Sequence, residues 1–149
     1  MEAKCLEAVM DHIAISVSDM DRALRFFNDV LGFAVLWEKT GLNISTLVGL
    51  PDAYARQVML EGYGMRIELF KYIRPQGKMR EPHRQCDFGI THFCLSVKNI
   101  DSLYRQLLTK SVDFISPPQE VRPKVWSVYF KGPDGISIEL VERSPVENT

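Results

Sequence analysis

Cysteine is scarce and badly placed for cross-linking. Cys5, Cys86 and Cys94 are odd in number, far apart, and form no Cys-x-x-Cys pair. That argues against a disulfide framework or a thiolate zinc site and fits a reducing cytoplasm. Long apolar runs are missing as well, since no stretch approaches the roughly 18 uninterrupted apolar residues of a membrane span. The opening, MEAKCLEAVMDH, has acidic residues where a signal peptide carries a basic end and an apolar run. A soluble, unprocessed, cytoplasmic chain is expected, with no membrane partner. Nor is there an excess of one charge: 18 basic residues stand against 19 acidic ones, for a net charge of -1. Nothing in that balance attracts nucleic acid or an anionic surface. Histidine is the other rarity, three in all.

What is present is a core and a repeat. With 149 residues, 46% of them hydrophobic, the chain has the size of one ordinary domain spanning 1–149. HIAISVSDMDRALRFF, from His12 to Phe27, aligns with HFCLSVKNIDSLYRQL, from His92 to Leu107, at a constant offset of 80. His12 falls on His92, Ser16 on Ser96, Asp21 on Asp101 and Arg25 on Arg105. Each copy opens with strand-like alternation, Ile13, Ile15 and Val17 in one and Phe93, Leu95 and Val97 in the other, which leaves the histidine on the opposite face beside small residues. GITHFCLSV, residues 89 to 97, reads as a buried strand holding His92. A helical period follows in both copies, with Ser18 or Asp19 and, later, Asn99 as N-caps, and Gly32 as the end of the first helix.

A second pair of segments closes each half: RIELF, residues 66 to 70, and SIELV, residues 137 to 141, at an offset of 71. Alternation with Ile67 and Leu69, and with Ile138 and Leu140, sends Glu68 and Glu139 to the face away from the apolar side. ARQVMLEG and VWSVYFKG precede them across glycine-bearing turns, so a β-hairpin ends each half. The fold class is therefore α+β, two tandem β-α-β-β-β modules, about 10–73 and about 88–143, joined by a polar linker of about 74–87. Arg74, Lys78, Arg80 and Arg84 of that linker read as solvated, and His83 as a loop residue. The surplus length of the first half falls in GLNISTLVGLPDA, residues 41 to 53, either a cover for a site or a plain surface excursion.

His12, Glu68, His92 and Glu139 converge if the copies pair by approximate two-fold symmetry. Two imidazoles and two carboxylates suit one borderline or hard divalent ion: nickel, cobalt, zinc, manganese or iron. The plain alternative is two core histidines and two glutamates at exposed strand ends.

From Asp11 to Glu142, the doubled unit, the two histidines and the "IEL" segments around Glu68 and Glu139 resemble the vicinal oxygen chelate superfamily of glyoxalase I, methylmalonyl-CoA epimerase, extradiol dioxygenases and bleomycin or fosfomycin resistance proteins. The resemblance implies a curled mixed sheet around a metal cavity and, for the order His, Glu, His, Glu, a glyoxalase- or epimerase-like lyase or isomerase. Such an enzyme abstracts a proton next to a metal-chelated carbonyl of a small molecule with two adjacent oxygens. It implies Glu139 as the base and Glu68 as its partner on the ion. An iron(II) extradiol-type dioxygenase and a non-catalytic binding or resistance protein are the alternatives. Ser16 and Tyr72 stand where glutathione-using members carry arginine and asparagine, so a different substrate is expected. Small members of the superfamily pair, and Leu6, Ala8, Val9 and Met10 offer an apolar run for a homodimer.

Overall fold

The computed structural model describes residues 8–79 and 84–144. The readings placed on Cys5, Leu6, Arg80 and His83 lie outside the described residues. Contacts divide the chain into two units: Met1–Met20 with Gly32–Gly77, and Asp21–Leu31 with Lys78–Thr149. No helix among the described residues is long and apolar enough to cross a membrane.

The first unit is a four-stranded mixed sheet of β1 (Ile13–Ser16), β2 (Ala34–Asn43), β3 (Tyr54–Gly62) and β4 (Met65–Arg74), in the order β1-β4-β3-β2. β1 runs parallel to β4, and the other pairs are antiparallel. Tyr63 and Gly64 make the β3–β4 turn, both at positive φ, 55° and 75°. That combination belongs to the two-residue hairpin turn whose twist matches its strands, and glycine supplies half of it without strain. The turn fixes the register at Gly62 opposite Met65, so Leu60 meets Ile67 and Val58 meets Leu69. These four side chains are fully buried and form one face. The other face carries Met59 opposite Glu68, Gln57 opposite Phe70 and Ala55 opposite Tyr72. β2 adds Trp37 opposite Met59 and Lys39 opposite Gln57.

The surplus segment is a fixed wall. A short helix, α2 (Ser45–Val48), is tied down by Ile44 N–H to the Ala53 carbonyl at 2.9 Å and by Ala53 N–H to Ser45 Oγ at 2.7 Å. Ile44, Ala53 and Ala55 are buried together, with Leu42, Phe70 and Tyr72 packed against them. The segment thus closes one end of the Glu68 face.

The second unit holds β5 (Phe93–Ser96), α3 (Ile100–Thr109), β6 (Asp113–Phe114), β7 (Gln119–Arg122), β8 (Val125–Lys131) and β9 (Ser137–Arg143). β5 lies parallel to β9, β9 pairs β8, and β8 pairs both β6 and β7. This half therefore carries one strand more than the β-α-β-β-β reading. The strand read over 89–97 is only four residues long: Ile90 is 93% exposed, and the ladder to β9 begins at Phe93.

The helix between β1 and β2 packs with the second sheet. It begins as α1 (Met20–Leu24) and continues as a π-helical stretch over Arg25–Val30. Phe26 lies 6.3 Å from Phe130 and 5.3 Å from Phe27, ring to ring, and Phe114 lies 5.3 Å from Phe130. Arg22 Nη2 bonds Asp134 Oδ1 at 2.9 Å. A Cβ on Gly132 would stand 3.0 Å from the Phe26 ring, so a larger residue here would press on that ring. Module one, as read from the sequence, would have kept this helix with the first strands.

Asn99 precedes α3 at φ 58° without a side-chain cap bond. Glu142 of β9 caps the helix instead, Oε1 accepting from Asn99 N–H at 3.1 Å and Oε2 from Ile100 N–H at 2.8 Å. A carboxylate satisfies two orphan donors and favours the positive helix end, which a neutral amide does less well.

Candidate functional site

His12 and His92 each stand one residue before their strand. Parallel pairing then sets Ala14 opposite Glu68 and Cys94 opposite Glu139. Two residues back on the same face, each imidazole meets the glutamate. His12 Nε2 lies 3.0 Å from Glu68 Oε2, and His92 Nε2 lies 3.2 Å from Glu139 Oε2. Both Nδ1 atoms are held from behind. That of His12 bonds Asp11 Oδ2 at 2.6 Å. That of His92 meets Thr91 Oγ1 at 2.8 Å and Gln85 Oε1 at 3.2 Å, and the Gln85 amide in turn donates to Ser137 Oγ at 2.9 Å.

The structure thus brings the four candidates together two by two, one histidine with one glutamate in each unit. Among the described residues no group of three or more histidine, cysteine, aspartate or glutamate side chains is gathered to hold a metal ion. In the first unit a concavity of about 570 Å³ opens beside His12, walled by Asp11, Glu61, Tyr63, Met65 and Arg66.

The glutamates differ in their surroundings. Ser127 Oγ donates to Glu139 Oε1 at 2.6 Å. Tyr129 lies directly opposite Glu139 and Cys94 beside it; the Tyr129 hydroxyl meets His92 Nε2 at 3.4 Å, and the Cys94 thiol donates to the Leu95 carbonyl at 3.9 Å. The Tyr129 ring also stands edge-on to His92, with centroids 5.0 Å apart. Burial alone pushes the Glu139 carboxyl up. The bond from Ser127, the polar hydrogens of Cys94 and Tyr129 close by and the positive potential of His92 outweigh it and hold the group below the usual carboxylate range. Burial and the Glu139 charge push the Cys94 thiol up to about 11, and for the same two reasons the Tyr129 phenol is raised. Both remain proton donors at neutral pH. The hydrogen bond from His12 holds Asp11 low.

At the same register in the first sheet stand Met59 for Tyr129, Gln57 for Ser127 and Ala14 for Cys94. Glu68 keeps His12 alone as its partner among the described residues. Sequence reasoning missed this supporting set. Counting outward from the Gly132–Gly135 turn would have found Ser127 and Tyr129, because antiparallel pairing fixes their distance from Glu139.

Residues 9–140 match the model of the glyoxalase/bleomycin resistance protein/dioxygenase superfamily. The chain is 28% identical over 142 residues to the 2-epi-5-epi-valiolone epimerase of an Actinomyces species, covering 87% of this chain and 76% of that one. It is 27% identical to the Escherichia coli K12 protein YaeR, covering 89% and 94%. Among solved structures, a glyoxalase family protein from Bacillus cereus superposes with a TM-score of 0.83 at 21% identity, covering 97% of this chain and all of that one. The fosfomycin resistance protein FosX from Listeria monocytogenes superposes at 0.66 with 14% identity, covering 93% and 96%. The doubled strand-helix-hairpin unit, its repeated His–Glu pair and the match over nearly the whole length agree, and the chain belongs to the glyoxalase/bleomycin resistance protein/dioxygenase superfamily.

Proposed function

We propose that the protein is a divalent-metal-dependent isomerase or lyase, acting on a small molecule with two adjacent oxygens by removing a proton beside a carbonyl. His12, Glu68, His92 and Glu139 would hold the ion. The observation that carries this reading is the duplicated pair itself. In each unit a histidine turns Nε2 to a carboxylate oxygen while Nδ1 is anchored behind, to Asp11 in one case and to Thr91 and Gln85 in the other. Anchoring one ring nitrogen so that the other presents its lone pair is how ligating histidines are oriented, and it fits this donor set. The epimerase relative supports the reaction class. When bound, a divalent ion at these atoms supplies Lewis-acid polarisation of a carbonyl oxygen.

The surroundings of the two glutamates favour different roles. A base must move. Glu139 is fixed by Ser127 at 2.6 Å as well as by His92, while Glu68 has His12 alone among the described residues. We therefore assign proton abstraction to Glu68 and anchoring to Glu139, the reverse of the expectation drawn from the resemblance. Ser127 holds the anchor in place, and Tyr129 backs the His92 ring beside it.

The test is proton exchange. Protein loaded with nickel, cobalt, zinc or manganese is incubated without oxygen in deuterated buffer with a series of 2-hydroxy and 2-oxo carbonyl compounds, and the acidic C–H is followed by NMR. Metal-dependent exchange that a chelator stops supports the reading. Oxygen uptake with iron, and no exchange, would replace it with an oxygenase. A homodimer remains part of the proposal: Val9 and Met10 are 91% and 80% exposed. A monomer mass in light scattering at micromolar concentration would remove it.

A further inference from the structure

The first sheet's Glu68 face carries more than a ligand. Gln57 is only 8% exposed. Its amide has no hydrogen-bond partner among the described residues. No polar side-chain atom in the described structure is both fully buried and unpaired, so the tip of this amide reaches open space. Gln57 is thus buried along its stem and open at its amide, which can hydrogen-bond a group that reaches this face. Gln57 lies two residues from Met59, which is opposite Glu68, so the pleat points it to the same face as the glutamate.

Lys39 lies opposite Gln57 on β2, its ammonium 5.2 Å from the Trp37 ring centroid, and aromatic side chains flank the rest of the face. Trp37 lies opposite Met59 on one flank, and Phe70 lies opposite Gln57 on the other. Phe70 and Tyr72 stack at 6.0 Å with 20° between their planes. The packed wall of Ile44 and Ala53 closes the end beyond Tyr72. Flat aromatic faces suit a flat ring, which they hold by dispersion and stacking. Along a strand two residues span about 7 Å. A group bonded to Gln57 therefore lies about that far from the part of the molecule at Glu68.

We propose that this face selects the substrate: a small molecule whose reacting oxygens sit at Glu68 and whose flat, largely apolar ring runs along Phe70 and Tyr72 to present one hydroxyl or carbonyl oxygen to Gln57. The proposal rests on the reading of Glu68 as part of the reacting centre. It differs from that reading in needing Gln57 and the aromatic pair.

Binding of three probes tests it: lactate, mandelate and 4-hydroxymandelate, titrated calorimetrically with and without added Zn²⁺. All share adjacent oxygens. The second adds a ring, and the third adds a hydroxyl at the far end of that ring. Mandelate should bind roughly tenfold tighter than lactate, through the ring, and 4-hydroxymandelate about fivefold tighter again, through one hydrogen bond. Gln57→Leu, close in volume, should erase the second gain and keep the first. Phe70→Ala should reduce the first. A ring preference that persists without Zn²⁺, with no binding of Zn²⁺ itself in the same titrations, upholds this inference while removing the metal reading. Zn²⁺-dependent binding of all three at one affinity overturns the inference and leaves the metal reading standing. Failure of all three to bind, or a hydroxyl gain undiminished in Gln57→Leu, also overturns it.

Discussion

The Ser127 hydroxyl donates to Glu139 Oε1 at 2.6 Å, whereas Gln57, at the same register in the first sheet, makes no such bond to Glu68. The two halves share strand order, turn position and the His–Glu pair. They part at the residues facing the carboxylate. Hydroxyl, phenol and thiol surround one glutamate; thioether, unpaired amide and methyl surround the other. The repeat keeps the carboxylates and changes their neighbours, which is what the proposed division of roles rests on.

The first prediction separates these roles. Glutamine has nearly the size of glutamate and can still ligate through oxygen, but it is a poor base. Glu68→Gln should keep metal and lose turnover by about 10²-fold or more, the usual cost of a missing general base. Glu139→Gln should weaken metal binding more than Glu68→Gln does, because the side chain that Ser127 holds in place as an anion becomes a neutral amide. Exchange rate and metal affinity, measured side by side, check the assignment. Full exchange in Glu68→Gln returns the base to Glu139.

Much of this was legible in the sequence because two periods are rigid. Constant offsets of 80 and 71 placed His12 with His92 and Glu68 with Glu139, and strand alternation put both glutamates on the face away from Ile67 and Ile138. The ladder bears out that face. Other features depend on partners distant in sequence. Ile90 looked like part of an apolar strand, yet its exposure follows from pairing with β9 that starts only at Phe93. Asn99 has the chemistry of a cap, but Glu142, 43 residues later, reaches the helix end first. No local pattern could show that Phe26 would settle on Phe130.

Asp11 gives a second prediction. Its carboxylate accepts from His12 Nδ1 at 2.6 Å, and the bond both orients the ring and sharpens Nε2 as a donor to a cation. Asp11→Asn should lower metal affinity by about 10–100-fold, the range seen when such an outer partner is lost. Equilibrium dialysis with Zn²⁺ measures it. His92→Ala, which removes a ligand outright, should lose more; unchanged binding there rules out the site.

Gly62 gives a third. A Cβ at this position would stand 2.9 Å from the Phe33 ring, and Phe33 is fully buried against Tyr63 with centroids 5.3 Å apart. Gly62→Ala should cost roughly 1–3 kcal/mol, as overpacking does, seen as a lower denaturant midpoint. Gly64, with nothing near its Cβ direction, meets no such clash; only its positive φ opposes alanine there.

The fourth concerns the cap that joins strand to helix. Alternation from Ile138 through Leu140 carries Glu142 to the face opposite Glu139, and from there its two oxygens take the N–H groups of Asn99 and Ile100 at 3.1 and 2.8 Å. Those donors belong to the first turn of α3 and have no partner within the helix. Ile100 beside them is buried, so water is a poor substitute. Glu142→Ala should therefore cost about 1–2 kcal/mol, the range for removing a helix cap. Glu142→Gln keeps one acceptor oxygen but loses the charge that favours the positive helix end, and should fall between the alanine variant and the parent. Urea denaturation orders the three proteins. Zn²⁺ affinity serves as the control, since the side chain points away from His92 and Glu139: a large loss of metal binding in Glu142→Gln, with stability unchanged, would show that Glu142 serves the ligand face instead of the helix.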